Sequence, residues 1–531
     1  MTAPVPVLLS GAMGSGKSSV GAIVAARLGW RFVDLDARIA EEQGASVPEI
    51  FERRGEAWFR ALERDAALRT LAERSDQVIA LGGGTVVDRA TRRALLARAF
   101  VVTLRAPADE LARRLAEAHD RPLLAGQDAR TVLASILDER REAYAECHAE
   151  IDTRGRAVDA IAGEVIARAG ERALVVPLGV RTYRVEIAAG IATRVVERAR
   201  ELAITSAVVV SDANVEPHAR RIRELLSQGG VPTIAVELPA GEAHKTIASV
   251  ERIWDAALEG GLDRGGAVVA VGGGVVGDLA GFAASTLLRG VALIQVPTTL
   301  LAMVDSSVGG KTGFDRAQGK NLVGTFHQPS AVLCDVDLLA TLPREERISG
   351  LAEVVKAAWI DGEDAVRALE RDAAAILAGD RAATIAAIRS AIALKARIVS
   401  EDERESGPRA LLNLGHTVGH ALEAASGYSM RHGEAVARGM VAAMRIARTL
   451  GHASDADLAR LRALLDRLSL PSDPERYVDG RALSYLGSDK KRRGGALRFV
   501  LPGAPGRVEL RSIAVEEVAR MALAGGAGVD V

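Results

Sequence analysis

Apolar runs of strand length alternate with helical periodicities along the first part of the chain. Four such runs fall at residues 5–10, 31–35, 78–81 and 100–104. The segment from Lys17 to Leu28, between the first two runs, has apolar positions at helical spacing, so the chain opens with a βαβ order. This order predicts an α/β domain with a parallel sheet over residues 1–170, closed by helices at 131–149 and 157–169.

A second alternating block follows a break in the helical period near residues 170–179. Its apolar runs predict strands at 183–187, 207–211, 233–238, 267–271, 292–296 and 331–335. After about Pro343 an amphipathic helical pattern continues almost without interruption to Leu468. We therefore expect three domains: an α/β domain at 1–170, a nucleotide-binding α/β domain at 175–342 and a mainly helical domain at 343–531.

Composition and charge narrow the function classes. The chain has 531 residues, of which 48% are hydrophobic and 26% charged, which excludes a disordered or fibrous protein. Its formal net charge of -1 offers no cationic excess, so neither nucleic acid nor an anionic membrane is expected as a partner. The two cysteines, Cys147 and Cys334, lie far apart, and no signal peptide or membrane span is visible. We expect a location in the reducing cytoplasm.

Lysine and asparagine are rare in this chain. It contains eight lysines against 60 arginines, and its three asparagines are Asn214, Asn321 and Asn413. A lysine kept where arginine is the usual cation indicates a need for a compact ammonium group, although biased base composition is the alternative explanation.

The first chemical motif is Gly11-Ala-Met-Gly-Ser-Gly-Lys17-Ser18, which matches G-x-x-x-x-G-K-[ST] between a predicted strand and a predicted helix. Such a loop cradles ATP phosphates with its backbone N–H groups, while Lys17 reaches the β- and γ-phosphates and Ser18 binds Mg²⁺. Asp34 and Asp36 follow the second predicted strand, two apart and so expected on one side of an extended chain. We expect one carboxylate near Mg²⁺ and the other on a substrate hydroxyl; a helix N-cap is the alternative for such an aspartate.

Together with Arg60, the Gly82-Gly83-Gly84 turn, Arg121 and the Arg140-Arg141 pair, this P-loop resembles the shikimate kinases over nearly all of residues 1–170. The resemblance implies a P-loop fold of the nucleoside-monophosphate-kinase type and ATP-dependent phosphorylation of shikimate. It implies that Asp36 contacts the hydroxyl to be phosphorylated, and that Arg121 lies on a closing lid. The implied shikimate contacts are Asp36, Arg60, Gly82, Gly83 and Arg140, and the implied ATP contacts are Gly11, Gly14, Ser15, Gly16, Lys17, Ser18, Ser19 and Arg121.

One departure from the shikimate kinases concerns the late arginine. The family usually has a proline between this arginine and the following tyrosine, whereas this chain has Arg140-Arg141-Glu142-Ala143-Tyr144. The spacing to Tyr144 favours Arg140 as the substrate contact. Solvated surface charge is the alternative for either arginine.

A second set of motifs lies in the later part of the chain. The loop from Gly272 to Gly277 matches G-x-G-x-x-G after a predicted strand, but the acidic residue expected about 20 positions later is absent, so an ordinary Rossmann half is not indicated. His416, His420 and His432 lie in one short window. Their spacing alone nominates His416 and His420, one helical turn apart, as metal ligands with a third histidine or a carboxylate.

These motifs run in order as in the 3-dehydroquinate synthases over about residues 175–531, and the chain resembles that family. The resemblance implies Zn²⁺ (or Co²⁺) on Glu353, His416 and His432, which leaves His420 for the substrate. The implied NAD⁺ contacts are Asp212, Asn214, Glu242, Lys245, Gly273, Gly274, Val275, Gly277, Asp278, Thr298, Thr299, Asp305, Ser306, Lys311, Lys320 and Thr341. The implied substrate contacts are Asp305, Lys311, Lys320, Asn321, Lys356, Lys395, Arg409, Asn413, His416, His420, His432 and one of Lys490 or Lys491.

The two resemblances together predict a bifunctional enzyme. The second half would cyclise 3-deoxy-D-arabino-heptulosonate 7-phosphate to 3-dehydroquinate with release of phosphate. The expected catalytic groups are Lys17, Asp36 and Arg121 in the first site and Asp305, Lys311, Lys356 and His420 in the second. These assignments use seven of the eight lysines, with Lys490 and Lys491 as alternatives for one contact, and all three asparagines, which supports them. A homodimer through the synthase part is implied by the second resemblance.

Two alternatives remain open at this point. The chain could join a gluconate-type sugar kinase to another sugar-phosphate cyclase or to a metal-dependent alcohol dehydrogenase. The P-loop part could instead be a nucleotide sensor that regulates the synthase without catalysis. Arg60 and Arg140 disfavour gluconate, Lys356 with Arg409 and Asn413 disfavours a simple dehydrogenase, and the intact P-loop disfavours a sensor.

Overall fold

The structure is a computed structural model that describes residues 5–116, 128–171, 173–474, 477–488, 492–493 and 496–524. The chain forms two compact units, Met1–Arg184 and Val185–Val531. Among the described residues, none of the helices combines the length and the apolar character needed to cross a membrane.

Unit 1 is an α/β fold around a parallel sheet. Its strands are β1 (Val7–Ser10), β2 (Arg31–Asp34), β3 (Gln77–Ala80), β4 (Phe100–Arg105), β5 (Ala149–Asp152) and β6 (Leu174–Val176). Its helices are α1 (Lys17–Leu28), α2 (Leu35–Gln43), α3 (Val47–Arg54), α4 (Glu56–Glu73), α5 (Arg89–Leu96), α6 (Ala108–Ala116), α7 (Ala129–Glu139), α8 (Arg141–Ala145) and α9 (Val158–Glu171).

Five of these strands form one sheet in the order β2–β3–β1–β4–β5, and its strand pairs are parallel. Successive residues of β1 face opposite sides, so Leu8 lies in one apolar core and Leu9 in the other. Burial on both faces explains why β1, β3 and β4 are mainly apolar, whereas the edge strands β2 and β5 carry the exposed Arg31 and Glu150. The carboxyl ends of β2, β3 and β1 meet at one edge, where ligands of open α/β sheets bind.

Unit 2 begins within β7 (Tyr183–Ala188). Its other strands are β8 (Ala207–Asp212), β9 (Thr233–Leu238), β10 (Ala267–Gly272), β11 (Ala292–Pro297), β12 (Lys311–Arg316), β13 (Gly319–Phe326), β14 (Ala331–Asp335), β15 (Arg492–Arg493), β16 (Ala496–Pro502) and β17 (Val508–Ala514). Its α-helices are α10 (Val195–Glu201), α11 (Glu216–Gln228), α12 (Ile247–Glu259), α13 (Gly274–Thr286), α14 (Arg344–Asp361), α15 (Glu363–Leu377), α16 (Arg381–Glu401), α17 (His416–Ala425), α18 (His432–Thr449), α19 (Asp455–Arg467), α20 (Gly480–Ser484) and α21 (Val515–Ala524).

The main sheet of unit 2 has the strand order β7–β14–β11–β10–β8–β9. The pairs from β14 to β9 are parallel, and helices α11, α12 and α13 alternate with these strands along the chain. The residues after Pro343 are mainly helical, and α14, α16, α17 and α18 pack together. The predicted order of an α/β sheet followed by a mainly helical region is confirmed for this unit.

The structure differs from the predicted local structure in three places. The single helix expected at 131–149 is α7, a turn at Arg140, the short α8 and then β5, because Ala149–Asp152 pairs with β4 at the sheet edge. The hairpin β12–β13 was not predicted. The C-terminal strands β16 and β17 were also not predicted; they pair antiparallel and bury Leu497 and Phe499.

Candidate active sites

The P-loop of unit 1 joins the central strand β1 to helix α1. Gly11 has a φ of +135°, and a Cβ there would lie 2.3 Å from the carbonyl oxygen of Leu104, so a larger residue cannot occupy this turn. Gly16 is left-handed and precedes the first turn of α1. Lys17 Nζ folds back over the loop and donates to the carbonyl oxygens of Gly11 at 2.9 Å and Ala12 at 3.1 Å. The loop thus presents an ammonium group and a helix N-terminus to the same edge of the sheet.

The predicted magnesium pair comes together beside this loop. Ser18 Oγ donates to Asp34 Oδ2 at 2.5 Å. Asp34 ends β2 and caps α2, because its other oxygen accepts from the backbone N–H of Ala37 at 3.2 Å. The expectation that Asp34 and Asp36 share one side of an extended chain is wrong, because the chain turns into α2 at Leu35 and Asp36 lies in its first turn.

Asp36 nevertheless faces the glycine turn that follows β3. A Cβ on Gly82 would lie 2.8 Å from Asp36 Oδ1 and 2.0 Å from Glu63 Oε1. A Cβ on Gly84 would lie 2.2 Å from Arg60 Nη1. These glycines are required because three charged side chains occupy the space that a Cβ would need.

Arg60 is oriented by a buried carboxylate that the sequence reasoning missed. Arg60 Nη1 donates to Glu63 Oε2 at 2.8 Å, one helical turn along α4. Thr85 Oγ1 donates to Glu63 Oε1 at 2.8 Å, and Glu63 is 1% exposed. The signal available in the sequence was the i,i+3 spacing of an arginine and a glutamate on one helix face.

The far side of the glycine turn is held by the residues around α8. Arg140 Nη1 and the Tyr144 hydroxyl both donate to the carbonyl oxygen of Gly83, each at 2.8 Å. Arg141 instead pairs with Asp138 and its side chain is 71% exposed. The structure therefore directs Arg140 to the turn and Arg141 to solvent. Arg121, the expected lid residue, lies outside the described residues.

In unit 2 the glycine loop Gly272–Gly277 connects β10 to α13. A Cβ on Gly272 would lie 2.6 Å from Val276 Cβ, and Thr298 N donates to the carbonyl oxygen of Gly272 at 3.0 Å. Gly273 and Gly274 lie against the side chains of Thr299 and Ser306. The glycine loop therefore packs directly against the residues that follow β11, at the carboxyl ends of β10 and β11. Val275 is partly buried on α13 behind it.

Polar groups expected to bind NAD⁺ surround this edge. Lys245 Nζ donates to Asp278 Oδ2 and Asn321 Oδ1, each at 2.6 Å. Burial opposes the charge on Lys245, but Asp278 outweighs it and raises the pKa of the amine. Lys320 Nζ lies 3.2 Å from Glu242 Oε1.

Two further NAD⁺ candidates lie at other positions of the fold. Asp212 ends β8 and accepts from the backbone N–H of Asn214 at 2.9 Å. Thr341 Oγ1 lies 2.9 Å from His218 Nε2, a contact that was not predicted.

The residues predicted to contact the synthase substrate include buried cations that lie close to carboxylate and carbonyl oxygens. Lys395 Nζ donates to the carbonyl oxygen of Asp305 at 2.5 Å and also contacts its carboxylate. Desolvation opposes ionisation of Asp305, but Lys395 and Lys356 outweigh it and hold the pKa of this carboxyl below its usual value. Arg409 is buried and donates from Nη2 to the carbonyl oxygen of Gly309 at 2.9 Å.

Glu405 links two of the predicted substrate residues, and the sequence reasoning did not find it. Its carboxylate accepts from Asn413 Nδ2 at 2.6 Å and pairs with Lys311. Its φ of +59° is rare for a residue with a side chain. Lys490 and Lys491 lie outside the described residues.

Three side chains from three helices converge on one point. Glu353 on α14 places Oε1 3.6 Å from the Nε2 atoms of both His416 on α17 and His432 on α18. All three ligand atoms lie within 4.8 Å of one another. Glu353 Oε1 is buried and accepts no hydrogen bond among the described residues, while Oε2 pairs with Lys356. A buried, unpartnered carboxylate oxygen facing two imidazole nitrogens fits a divalent metal ion.

The outer nitrogens of both histidines face acceptors. His416 Nδ1 lies 3.3 Å from the carbonyl oxygen of Leu414, and His432 Nδ1 lies 3.3 Å from Glu423 Oε1. Because a carbonyl or carboxylate oxygen only accepts, each Nδ1 carries the hydrogen and each Nε2 is presented to Glu353. Burial opposes the charge on His432, but Glu353 and Glu423 outweigh it and raise the pKa of His432 to about 10, so a metal ion that binds Nε2 would displace a proton from this ring. Glu423 was not predicted.

His420, nominated by spacing, lies beside this cluster and on the exposed side. Its ring centroid is 5.2 Å from that of His416 and 6.2 Å from that of His432. His420, Glu423 and His432 form a second group with ligand atoms within 4.8 Å of one another. The geometry therefore contains two overlapping triads that share His432, and the more buried triad includes Glu353.

Comparisons with known proteins match both units. The family model described as shikimate kinase matches residues 13–169, and the models of the 3-dehydroquinate synthase N-terminal and C-terminal parts match residues 235–349 and 350–492. The 3-dehydroquinate synthase of Symbiobacterium thermophilum is 50% identical over 305 residues, which is 57% of this chain and 85% of that protein. That of Rhodospirillum rubrum is 48% identical over 63% of this chain and 89% of its own.

A solved structure of similar fold is the 2-epi-5-epi-valiolone synthase of Streptomyces hygroscopicus subsp. jinggangensis 5008, with NAD⁺ and Zn²⁺ bound. It is 26% identical, covers 65% of this chain and 96% of its own, and has a TM-score of 0.58. The chain therefore belongs to the 3-dehydroquinate synthase family and carries a shikimate kinase domain ahead of the synthase in the same polypeptide.

Proposed function

We propose that this bifunctional enzyme acts at two steps of the shikimate pathway. Residues 1–170 transfer the γ-phosphoryl group of ATP, with Mg²⁺, to shikimate. Residues 175–342 bind NAD⁺, and residues 343–531 hold the metal and most of the second substrate. This second part cyclises 3-deoxy-D-arabino-heptulosonate 7-phosphate to 3-dehydroquinate with release of phosphate. The kinase and synthase family matches support this proposal.

In the kinase part the glycine turn is the platform for shikimate. Arg60 and Arg140 flank it from two sides, and paired guanidinium groups suit the substrate carboxylate. Asp36 beside Gly82 orients the hydroxyl that receives the phosphoryl group. Lys17 neutralises charge on the transferring phosphoryl group, and Ser18 with Asp34 holds the magnesium shell.

The observation that carries the synthase part is the Glu353 carboxylate. One of its oxygens faces two imidazole nitrogens and the other pairs with Lys356. A metal held by Glu353, His416 and His432 would therefore lie directly beside an ammonium group. A metal held there would supply polarisation of a substrate hydroxyl, and bound NAD⁺ would supply a reversible hydride acceptor, so that the reaction involves no net oxidation.

The remaining synthase residues bind the substrate and move protons. Lys395, Arg409 and Lys311 supply positive charge for the substrate carboxylate and phosphate. The low pKa of Asp305 keeps its carboxylate charged next to Lys395, which holds this ammonium in place. His420, on the exposed side of the metal triad, is placed to exchange a proton with the substrate.

The alternatives are not favoured. The structural neighbour shows that a related fold serves another cyclase, but the 50% identity to a 3-dehydroquinate synthase over 305 residues favours that activity. A gluconate-type kinase is disfavoured by the match of residues 13–169 to the shikimate kinases. We further propose that the enzyme is a cytoplasmic homodimer that associates through its synthase part.

Two assays on one purified sample test the function. The first follows ATP-dependent phosphorylation of shikimate, and the second follows phosphate release from the heptulosonate phosphate with NAD⁺ and Zn²⁺. We expect both reactions to proceed. Phosphorylation of gluconate in preference to shikimate, or no phosphate release with the metal and NAD⁺ present, would contradict the assignment of the corresponding half.

A further inference from the structure

A buried ion pair lies behind the shikimate platform of unit 1. Arg92 Nε on α5 donates to Glu146 Oε2 at 2.5 Å, and the two side chains are 6% and 5% exposed. Neither residue belongs to the sites described above. A buried pair of this kind is sensitive to the loss of either partner, because the remaining charge is left without compensation.

The two members of this pair contact different parts of the proposed shikimate site: Arg92 contacts the segment after the glycine turn, and Glu146 follows α8. Arg92 Nη1 donates to the carbonyl oxygens of Val86 at 2.6 Å and Val87 at 2.9 Å, directly after the glycine turn. Glu146 follows the last residue of α8, the helix whose Tyr144 donates to Gly83. The pair therefore fixes the distance between the turn and the helix.

The segment after the kinase domain completes the arrangement. Gly179 N donates to Glu146 Oε1 at 2.8 Å, so both carboxylate oxygens are bonded. Arg184 Nε donates to the carbonyl oxygen of His148 at 2.6 Å, and its Nη2 donates to that of Cys147 at 3.1 Å. The two donors, Gly179 and Arg184, lie beyond residue 169, where the kinase family match ends. Unit 1 nevertheless extends to Arg184.

We propose that Arg92 and Glu146 are positioning residues for shikimate. Together with the segment 179–184 they form a clamp, by which we mean this set of residues that joins the glycine turn to α8. The inference rests on the proposed kinase function. The clamp holds α8 against the glycine turn, and so holds Arg140 and Tyr144 on Gly83 without touching substrate itself. The kinase site of this chain thus depends on a segment that a kinase ending at residue 169 would lack.

The test uses the full chain with Glu146→Gln, which keeps the side-chain volume but removes the charge that Arg92 requires. A displacement of the helix near 1 Å is enough to weaken shikimate binding, so we expect the KM for shikimate to rise about tenfold or more. The KM for ATP should change less than twofold, because the P-loop lies on β1 and α1. Arg184→Ala removes the bonds from the segment to Cys147 and His148 but keeps both members of the Arg92–Glu146 pair, so it should raise the KM for shikimate by a smaller factor.

Controls separate this role from a general loss of stability. Glu150→Gln changes an exposed carboxylate of β5 and should leave all constants unchanged. If Glu146→Gln does not fold, Arg184→Ala decides alone. An unchanged KM for shikimate in the folded variants, or equal changes in both KM values and in kcat, overturns the inference. Wild-type chain that does not phosphorylate shikimate refutes the proposed function, and this inference with it.

Discussion

The two overlapping histidine triads can be told apart by a matched pair of substitutions on α17. His416 belongs only to the triad with Glu353, and His420, one helical turn later, only to the triad with Glu423. Tetrahedral zinc with bonds of about 2.1 Å places its ligand atoms about 3.4 Å apart. The distance of 3.6 Å from Glu353 Oε1 to each Nε2 matches this spacing closely. We therefore predict that His416→Ala loses the metal and His420→Ala retains it.

The expected change in the Kd for Zn²⁺ follows from the number of protein ligands. Four-ligand zinc sites bind with about 10–16 kcal/mol, or about 3 kcal/mol per ligand. The loss of one ligand should therefore raise the Kd for Zn²⁺ by a factor of more than ~100. For His420→Ala we expect a Kd within a few-fold of the wild-type value, together with a large loss of turnover, because this ring lies on the substrate side.

Competition with a chromophoric chelator measures the Kd for Zn²⁺ without requiring catalysis. Metal content after gel filtration, measured by mass spectrometry, provides a second readout. A wild-type Kd in His416→Ala combined with metal loss in His420→Ala would refute the triad with Glu353. Circular dichroism of both variants shows whether α17 remains folded.

Two further predictions concern residues that support the metal sites. Glu423→Gln weakens the hydrogen bond that orients His432, so the Kd for Zn²⁺ should rise about 10–100-fold in chelator competition, and an unchanged Kd would contradict the orienting role. Asp34→Asn removes the charge beside Ser18, so half-maximal kinase activity should require about tenfold more Mg²⁺ while the synthase rate stays constant; an unchanged magnesium titration would exclude Asp34 from the magnesium shell.

Motifs formed by consecutive residues could be predicted from the sequence because their geometry is local. In the P-loop, Gly11, Gly14 and Gly16 have positive φ angles, which is a local backbone requirement for glycine. Gly82 and Gly84 are instead required by side chains that the fold packs against them. The rarity of lysine also helped to predict site residues, since Lys17, Lys245 and Lys395 all form hydrogen bonds with residues of the candidate sites. Spacing among the histidines could not nominate Glu353, because this carboxylate of the buried triad comes from α14, more than 60 residues before His416.

The supporting carboxylates could not be found in the same way. Glu63, Glu405 and Glu423 are three of 69 acidic residues, so their presence carries no compositional signal. Each acquires its role from a partner brought near by folding, as Glu405 does between Lys311 and Asn413. Strand β5 was not predicted because it has only four residues and follows a helix-forming segment. Four residues show too little periodicity to distinguish a strand from the end of a helix.

We propose that the two catalytic sites of this chain work independently. Measuring both reactions with the Lys17→Ala chain tests this independence. Lys17 Nζ donates to Gly11 and Ala12 of the P-loop in unit 1, whereas all the residues proposed for the synthase site belong to unit 2. We predict loss of shikimate phosphorylation with phosphate release by the synthase at the wild-type rate. Phosphorylation that survives the substitution would show that the P-loop is not the kinase site, and a parallel loss of synthase activity would show that the P-loop part regulates the synthase.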